Sequence, residues 1–207
     1  MKTPPLSLIQ LSTDLLQPVS LQIRAGEILC LSGPSGSGKS RLLRAVADLD
    51  PHGGSASLGA ETQQTLRGHL WRRAVMMVPA ESAWWHETVG EHLPKPMDAA
   101  LGQLGFTADV TDWSIDRLSS GEKQRLALVR ALAHEPRALL LDEPTANLDP
   151  DTTRQTERWL CEVIRQRALP TLWVAHDRAQ IERVASRHLH IEGGRLNESA
   201  GGQNGWM

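Results

Sequence analysis

The sequence predicts an α/β fold built around a mostly parallel central sheet. Apolar, strand-like runs alternate with helical patterns along the chain, and strands separated by helices usually pair in parallel. One of these runs, residues 27–32, leads into a glycine-rich loop that is followed at once by a helical pattern. With 207 residues, the chain is long enough to form one domain with a well-filled core.

The N-terminal part is predicted to be antiparallel β structure. Two strands are expected at residues 6–11 and 19–23, joined by a short turn. After the strand at 27–32, a helix is expected over residues 39–49, and it ends at the breakers Asp-Pro-His-Gly-Gly of residues 50–54. The next apolar strand is expected at residues 74–78, where Pro79 stops it.

A small helical insert is expected in the middle of the chain. Residues 88–117 favour helix but are interrupted by Pro94, Pro96 and Gly105, and residues 121–134 have a continuous helical pattern. These segments define a helical subdomain at about residues 82–135, inserted in a single domain that covers residues 1–196.

The C-terminal third continues the alternation. Residues 138–141 are all apolar, which predicts a buried central strand, and a helix over 150–167 begins with Asp149 as N-cap and Pro150 at its first position. A strand at 171–175, a helix at 178–186 and a strand at 188–192 follow. Residues 197–207 are rich in Gly, Asn and Ser and are expected to form a flexible tail.

Residues 33–40, Gly-Pro-Ser-Gly-Ser-Gly-Lys-Ser, form the strongest functional motif because they fit the phosphate-binding pattern Gly-x4-Gly-Lys-Ser/Thr. A loop between a strand and a helix can direct backbone N–H groups at a polyphosphate. Lys39 would supply a cation for the β- and γ-phosphates, and the Ser40 hydroxyl suits Mg2+. The alternative is a chance glycine-rich turn, which the strand and helix on either side argue against. The residues predicted to bind nucleotide are Gly33, Pro34, Ser35, Gly36, Ser37, Gly38, Lys39, Ser40 and Arg41.

Two adjacent carboxylates, Asp142 and Glu143, end the apolar strand at 138–141. Hydrolysis of a nucleoside triphosphate needs a second ligand for Mg2+ and a group that orients the attacking water. Asp142 can hold Mg2+ and Glu143 can polarise water, so the pair is a candidate for both roles. The alternative is that both residues are solvated acids at a strand end, but the phosphate loop upstream argues against it.

The composition excludes several function classes. The formal net charge is −2 and the basic residues are scattered, so we expect no nucleic acid partner. No apolar run approaches the ~20 residues that a membrane-spanning helix needs. The two cysteines, Cys30 and Cys161, do not suggest a disulfide framework, and both are expected to be plain buried residues.

Further motifs carry a resemblance to a known family. Residues 118–125, Leu-Ser-Ser-Gly-Glu-Lys-Gln-Arg, resemble the signature motif of ATP-binding-cassette (ABC) ATPases. Residues 142–149, Asp-Glu-Pro-Thr-Ala-Asn-Leu-Asp, resemble the family's Walker B motif and D-loop, and His176 in Val-Ala-His-Asp resembles its switch histidine. These motifs occur in the family's order and cover residues 33–177, which implies a P-loop NTPase fold of ABC type.

The resemblance implies a mechanism in which two copies pack head to tail around ATP and Mg2+. Lys39, Glu143 and His176 would be catalytic, Ser40 and Asp142 would hold Mg2+, and the D-loop would contribute Asp149. The opposing copy would present its signature to the γ-phosphate, which agrees with a helix that opens at this motif. The signature residues that would act in trans are Ser119, Ser120, Gly121 and Glu122.

The pattern departs from the family in three places. The usual glutamine after the strand at 74–78 is replaced by Ala80, so either the next residue, Glu81, takes its place as a Mg2+ ligand or coupling and hydrolysis are weakened. Residues 6–24 hold no aromatic residue that could stack on adenine, which leaves aliphatic groups such as Leu15. The signature has Ser120 where glycine is usual.

The expected partner is a separate transmembrane permease, with the chain bound peripherally at the cytoplasmic face of the inner membrane. Trp84 and Trp85 are candidates for that contact, although one or both could instead be core residues. The sequence is similar to bacterial iron-efflux type cassettes. A soluble or regulatory nucleotide-binding protein with weak hydrolysis is the alternative function. His188 and His190 could bind a metal, but an exposed strand face is the simpler expectation.

Overall fold

The computed structural model describes residues 3–198 and contains two β-sheets with six α-helices. The strands are β1 (Leu6–Ser12), β2 (Val19–Ile23), β3 (Ile28–Ser32), β4 (Gly53–Leu58), β5 (Glu61–Thr62), β6 (Val75–Val78), β7 (Ala138–Asp142), β8 (Thr171–Val174), β9 (Arg187–Glu192) and β10 (Arg195–Glu198). The helices are α1 (Lys39–Val46), α2 (Gly68–Ala74), α3 (Asp98–Gln103), α4 (Ser120–Ala133), α5 (Pro150–Gln166) and α6 (Arg178–Val184).

The predicted α/β fold with a mostly parallel central sheet is confirmed. Six strands lie in the order β10-β9-β3-β8-β7-β6, and every neighbouring pair is parallel except β10 with β9. The antiparallel N-terminal sheet has the order β2-β1-β4-β5. The carboxyl ends of β3, β7 and β8 therefore meet at one edge of the central sheet, where a ligand site is expected in such folds.

The N-terminal sheet is larger than the sequence predicts, because β4 begins at glycines that look like helix breakers. Gly54 has φ 69°, and a Cβ atom there would lie 2.1 Å from the carbonyl oxygen of Gln10. The register of β1 against β4 shifts between Ile9 and Ser12, so this close approach sits at a bulge. Here the two glycines allow strand pairing rather than ending structure.

The helix α2 is also absent from the sequence prediction. It is seven residues long and contributes one large core side chain, Trp71, which is fully buried. The Trp71 Nε1–H donates to the carbonyl oxygen of Val46 at 2.9 Å, which satisfies an end of α1. Tertiary packing therefore stabilises a helix too short to stand out in the sequence.

The predicted helical insert contains α3, α4 and three short 3-10 turns, Gly90–His92, Ala108–Asp112 and Ile115–Arg117. The prolines and glycine of this segment limit helix length, as expected. The subdomain boundaries at 82 and 135 stay a prediction. At the C-terminus, Asn197 and Glu198 pair in β10 rather than starting a tail, and residues 199–207 lie outside the described residues.

The central sheet is buried on both faces, as its apolar strands require. Along β3, Leu29 and Leu31 pack into one apolar cluster, whereas Cys30 packs into the cluster on the opposite face. Cys30 and Cys161 are free thiols, and burial raises the pKa of each, that of Cys161 to about 11. Both cysteines are thus inert packing residues at neutral pH. Of the helices in the described part of the chain, none has the length and apolar character to cross a bilayer.

Candidate functional site

The glycine-rich loop lies between the end of β3 and the start of α1, as predicted. Gly33 has φ 150°, and a Cβ atom there would lie 2.8 Å from the carbonyl oxygen of Ile191 on β9. Gly38 immediately precedes α1 with φ 98°, a left-handed conformation that favours glycine. The loop can therefore wrap closely around the N-terminus of α1, where backbone donors attract anions.

Lys39 lies folded into the loop. It is 6% exposed, and its Nζ donates to the carbonyl oxygens of Gly33 and Pro34, both at 2.9 Å. Burial lowers the pKa of Lys39, while the carboxylates of Glu143 and Asp142 oppose that shift. A cation held this way among backbone groups is placed to meet phosphate oxygens that enter the loop.

Ser40 and Asp142 form a pair of oxygen ligands beside Lys39. Ser40 lies in the first turn of α1, Asp142 is 6% exposed at the end of β7, and the Ser40 hydroxyl is close enough to lower the pKa of the Asp142 carboxyl. Burial raises the pKa of Asp142, with a further contribution from Glu143, while the Ser40 hydroxyl and the charge of Lys39 lower it. A hydroxyl and a carboxylate are hard oxygen donors that suit Mg2+, which commonly takes few protein ligands. Within residues 3–198 there is no group of three or more His, Cys, Asp or Glu side chains arranged to hold a metal.

Glu143 and His176 contact each other across the ends of β7 and β8. His176 Nε2 lies 2.6 Å from Glu143 Oε1, and Glu143 N donates to the carbonyl oxygen of Val174 at 3.2 Å. Both side chains are partly exposed, at 34% for Glu143 and 46% for His176. The backbone of Glu143 has φ 48°, which is rare for a residue with a side chain and typical of functional sites.

The phosphate loop and the Glu143–His176 pair line one open cleft of about 200 Å³. Leu15, which is 45% exposed, also lines this cleft. It is the aliphatic residue that the sequence suggests as a contact for adenine in the absence of an aromatic residue. The residues that line the cleft are Leu15, Ser35, Gly36, Gly38, Lys39, Ser40, Arg41, Glu143 and His176. Neither Asp142, which is buried, nor Glu81, which is exposed, is among the residues that line the cleft.

The signature residues also lie outside this cleft, at the start of α4. Ser119 caps the helix, because its Oγ accepts from Glu122 N at 3.2 Å, and Glu122 Oε2 accepts from Ser119 N at 2.8 Å. The bond from Ser119 N and a second one, which Ser119 Oγ donates to Glu122 Oε2 at 2.8 Å, lower the pKa of Glu122. Glu122 is therefore a capping group, and Ser120 is exposed at the first helical position.

The D-loop packs against the signature within the same chain. A Cβ atom at Gly121 would lie 3.0 Å from Leu148 Cδ2 and 3.2 Å from the carbonyl oxygen of Asn147. Asp149 caps α5, as predicted, by accepting from Asp151 N at 3.1 Å and Thr152 N at 3.0 Å. The glycine at 121 thus allows the D-loop to sit close to α4.

Trp84 and Trp85 have different environments. Trp84 is half-buried and packs against the core, whereas Trp85 is 65% exposed. Trp84 is therefore a packing residue, and Trp85 is the one that lies on the surface. The Arg130 guanidinium lies 4.3 Å from the Trp84 ring centre and 4.9 Å from that of Trp85. His92 supports this loop, since its Nε2 accepts from the backbone N–H groups of Trp85 and His86, both at 3.0 Å.

His188 and His190 are half-buried rather than on an exposed strand face. Both rings contact the Ser32 hydroxyl, at 2.7 Å from His188 Nε2 and 2.8 Å from His190 Nδ1. The sequence also gave no signal for a buried polar network of Thr145, Glu157, Gln180 and Arg183, because its members lie on three separate segments. Their alignment depends on the tertiary fold.

Comparisons with known proteins agree with this geometry. Residues 16–146 match the ABC transporter family. The chain is 34% identical over 201 residues to a sulfate/thiosulfate import ATP-binding protein of Bradyrhizobium diazoefficiens, with 88% of this chain and 58% of that protein covered. It is 37% identical over 211 residues to a phosphonates import ATP-binding protein of Rhodopseudomonas palustris, with 87% and 74% covered.

A solved bacterial Atm1-family ABC exporter with ATP bound has the same fold. The TM-score is 0.82 at 24% identity, and the match covers 95% of this chain and 38% of that one. The chain thus spans little more than half the length of the sulfate/thiosulfate protein and less than half of the exporter. With the phosphate loop, the Asp142–Glu143 pair and the capped signature helix in their expected order, the chain belongs to the ABC transporter family and carries its ATP-binding domain.

Proposed function

We propose that the chain hydrolyses ATP and drives a separate membrane permease. The observation that carries this proposal is the 2.6 Å contact between His176 and Glu143 at the mouth of the phosphate loop. It brings a carboxylate and an imidazole together beside Lys39, in the one cleft where the γ-phosphate would lie. A nucleotide-binding domain that had lost hydrolysis would not need this pair.

In this mechanism each residue has a distinct part. The backbone N–H groups of residues 33–40 and the ammonium of Lys39 bind the phosphates. Glu143 accepts a hydrogen bond from the attacking water and orients it in line with the bond that breaks. His176 holds the Glu143 carboxylate and contacts the γ-phosphate.

Ser40 and Asp142 would hold Mg2+, since one lies in the first turn of α1 after the phosphate loop and the other ends β7, and the Ser40 hydroxyl lowers the pKa of the Asp142 carboxyl. The ion, when bound, neutralises phosphate charge. Glu81 is proposed as a further ligand that acts only after the loop at residues 79–82 moves towards the cleft. Such a movement is needed because Glu81 is exposed and outside the cleft.

The site is proposed to be completed by a second copy. The exposed N-terminus of α4 bears Ser119 and Ser120 but does not line the chain's own cleft, so it is free to face another molecule's nucleotide. Glu122, through the capping box, keeps that helix start formed. Gly121 lets it pack against the D-loop, whose Asp149 caps α5.

The permease contact is proposed at Trp85 and the groove beside it. A groove of about 190 Å³ lies between β6 and α4, with Trp85 and Arg130 at its wall. An exposed Trp next to a cation is typical of an interface anchor. Docking there would hold the chain peripherally at a membrane.

We expect Trp85→Ala to abolish co-purification with a polytopic permease, while ATP hydrolysis by the chain alone persists.

The second candidate, a regulatory nucleotide-binding protein with weak hydrolysis, is favoured by Ala80, by Ser120 in the signature and by the position of Glu81 outside the cleft. The decisive experiment measures ATP turnover of the wild-type chain and of Glu143→Gln at saturating Mg-ATP. We expect the variant to lose about 100-fold or more in kcat, the effect of removing a general base, with ATP binding retained. Equal turnover in the two proteins would favour the regulatory role.

A further inference from the structure

A buried polar network joins the two segments that carry the catalytic pair. Gln180 Nε2 donates to Thr145 Oγ1 at 2.6 Å and to Glu157 Oε1 at 2.9 Å. Arg183 donates to the same carboxylate through Nε at 2.8 Å and Nη2 at 3.0 Å. The network therefore connects the loop after β7 with α5 and α6.

Three of the four members of this network are buried, which makes its geometry specific, while the Arg183 side chain is 40% exposed. Thr145 is 5% exposed, Glu157 is 3% exposed and Gln180 is 9% exposed. Because a carboxylate only accepts hydrogen bonds, the amide nitrogen of Gln180 must be the atom that faces Glu157. A buried carboxylate is costly unless it is paired, so the partners of Glu157 are held in place.

The network is anchored close to both catalytic side chains along the chain. Thr145 follows Glu143 by two residues, and Gln180 follows His176 by four residues, in the first turn of α6. Asp177, between His176 and α6, caps that helix by accepting from Ala179 N at 3.1 Å and Gln180 N at 3.3 Å. A shift of the first turn of α6 would therefore move His176.

Apolar packing alone does not fix that turn. The helix α6 has only seven residues, and its buried apolar side chains are Ile181 and Val184. Such contacts are non-directional and permit small rotations and slides, whereas hydrogen bonds with short distances constrain position. The bond from Gln180 to Thr145 is the side-chain link that fastens α6 to the segment carrying Glu143.

We propose that Gln180 and Thr145 are positioning residues for ATP hydrolysis, which rests on the function proposed above. Neither residue lines the nucleotide cleft. Their hydrogen bond fixes the distance between the first turn of α6 and the loop after β7. That distance keeps His176 Nε2 in contact with Glu143 Oε1. Glu157 and Arg183 keep Gln180 in the orientation that this bond requires.

The test compares kcat and KM for ATP in the chain carrying Thr145→Val, Thr145→Ser or Gln180→Leu. We expect Thr145→Val and Gln180→Leu to lower kcat about tenfold, with KM changed by less than about twofold, because binding does not involve the network. Thr145→Ser keeps the hydroxyl and should restore kcat to near the wild-type value. Gln180→Leu leaves both bonds between Arg183 and Glu157 in place, so the buried carboxylate stays paired.

Thr156→Val is the matched control. Thr156 is fully buried on α5 beside Glu157, and its hydroxyl has no hydrogen-bond partner among the described residues. This variant removes a buried threonine hydroxyl of the same kind without touching the network, so kcat should not change. A loss of kcat in Thr156→Val equal to that in Thr145→Val would show a general packing effect and overturn the inference.

The His176 imidazole provides a readout that does not depend on turnover. In ring-nitrogen NMR spectra of the nucleotide-free chain, the His176 signals should shift in Thr145→Val and Gln180→Leu but not in Thr156→Val. Unchanged His176 signals or wild-type kcat in both network variants would overturn the inference. Absence of hydrolysis in the wild-type chain would instead refute the proposed function, while the NMR comparison would still decide the positioning role.

Discussion

Backbone carbonyl groups of the phosphate loop hold the Lys39 side chain in position before a ligand binds. Its ammonium is buried and bonded to two loop carbonyls, Gly33 and Pro34, so a bound triphosphate exchanges those partners for charged oxygens. Charge-assisted hydrogen bonds are stronger than neutral ones, which makes the exchange favourable. Burial lowers the pKa of Lys39, and the carboxylates nearby keep a cation favoured in this place.

We expect Lys39→Ala to weaken ATP binding by about 10- to 100-fold, the effect of losing a charged hydrogen bond of ~1.5–3 kcal/mol. Isothermal titration with Mg-ATP measures this loss. Arg44→Ala is the control, because Arg44 lies on the same helix but pairs with Asp50 instead of lining the cleft. Equal affinity of Lys39→Ala and Arg44→Ala would contradict the phosphate-loop assignment.

The functional effect of Ala80 at the usual glutamine position depends on whether Glu81 takes over the role of that glutamine. If it replaces the missing glutamine, Glu81→Ala should lower kcat several-fold, since it would remove an oxygen ligand near Mg2+. Ser82→Ala, at the adjacent position, should change kcat by less than about twofold. Steady-state turnover at saturating Mg-ATP compares the two variants, and equal effects would show that Glu81 is only a surface acid.

At the scale of elements, the loop with Trp84 and Trp85 depends on a neutral histidine. His92 Nε2 accepts two backbone hydrogen bonds, and its Nδ1 lies 2.9 Å from the carbonyl oxygen of Thr88 and donates to it. Protonation of Nε2 would break both accepted bonds. Burial lowers the pKa of His92, and the positive charge of Arg130 adds to this effect, whereas the bond to Thr88 opposes it.

The direction of this shift predicts a pH effect on stability. Because the pKa of His92 is lower in the folded chain than its usual value of 6.5, the unfolded chain takes up the proton first as pH falls. The free energy of unfolding should therefore decrease as pH falls below about 6.5, the usual range for histidine. His134 and His188 have pKa values lowered in the same direction, so they add to the trend.

His92→Gln should reduce this dependence, because glutamine can accept a hydrogen bond but does not titrate. Urea unfolding at pH 7.5 and pH 5.5 measures the difference in unfolding free energy. His69→Gln, which changes an exposed histidine on α2, is the matched control and should keep the wild-type dependence. A wild-type pH dependence in His92→Gln would contradict the account of the loop.

At the scale of the whole molecule, local sequence signals identified most of the central sheet and the phosphate loop. Those signals are short-range: an apolar run, a glycine-rich turn and a helix start follow one another in residues 27–46. The bulge at Gly54 and the helix α2 were missed because each depends on a distant partner, Gln10 or Val46.

The same distinction applies to the candidate site. Lys39, Ser40, Glu143 and His176 were all identified from motifs, and the fold brings them into one cleft. Gln180 was not identified, since a glutamine in an exposed-looking helix has no sequence signature. Its role becomes visible only when its contacts with Thr145 and Glu157 are known.

We propose that the nucleotide site of this chain is half of a site, completed by α4 of a second copy. Ser120 offers a clean way to test this, because it is exposed at the first position of α4. An acidic residue there favours the helix through its dipole, so Ser120→Glu should fold normally. The same charge would repel a phosphate presented by another copy.

The most direct measurement is the mass of the Glu143→Gln chain by analytical ultracentrifugation, with and without saturating Mg-ATP. We predict a monomer without nucleotide, a dimer with Mg-ATP, and a monomer in both conditions when Ser120→Glu is added. A Glu143→Gln chain that binds Mg-ATP and stays monomeric, or an equally strong dimer with Ser120→Glu, would contradict the account.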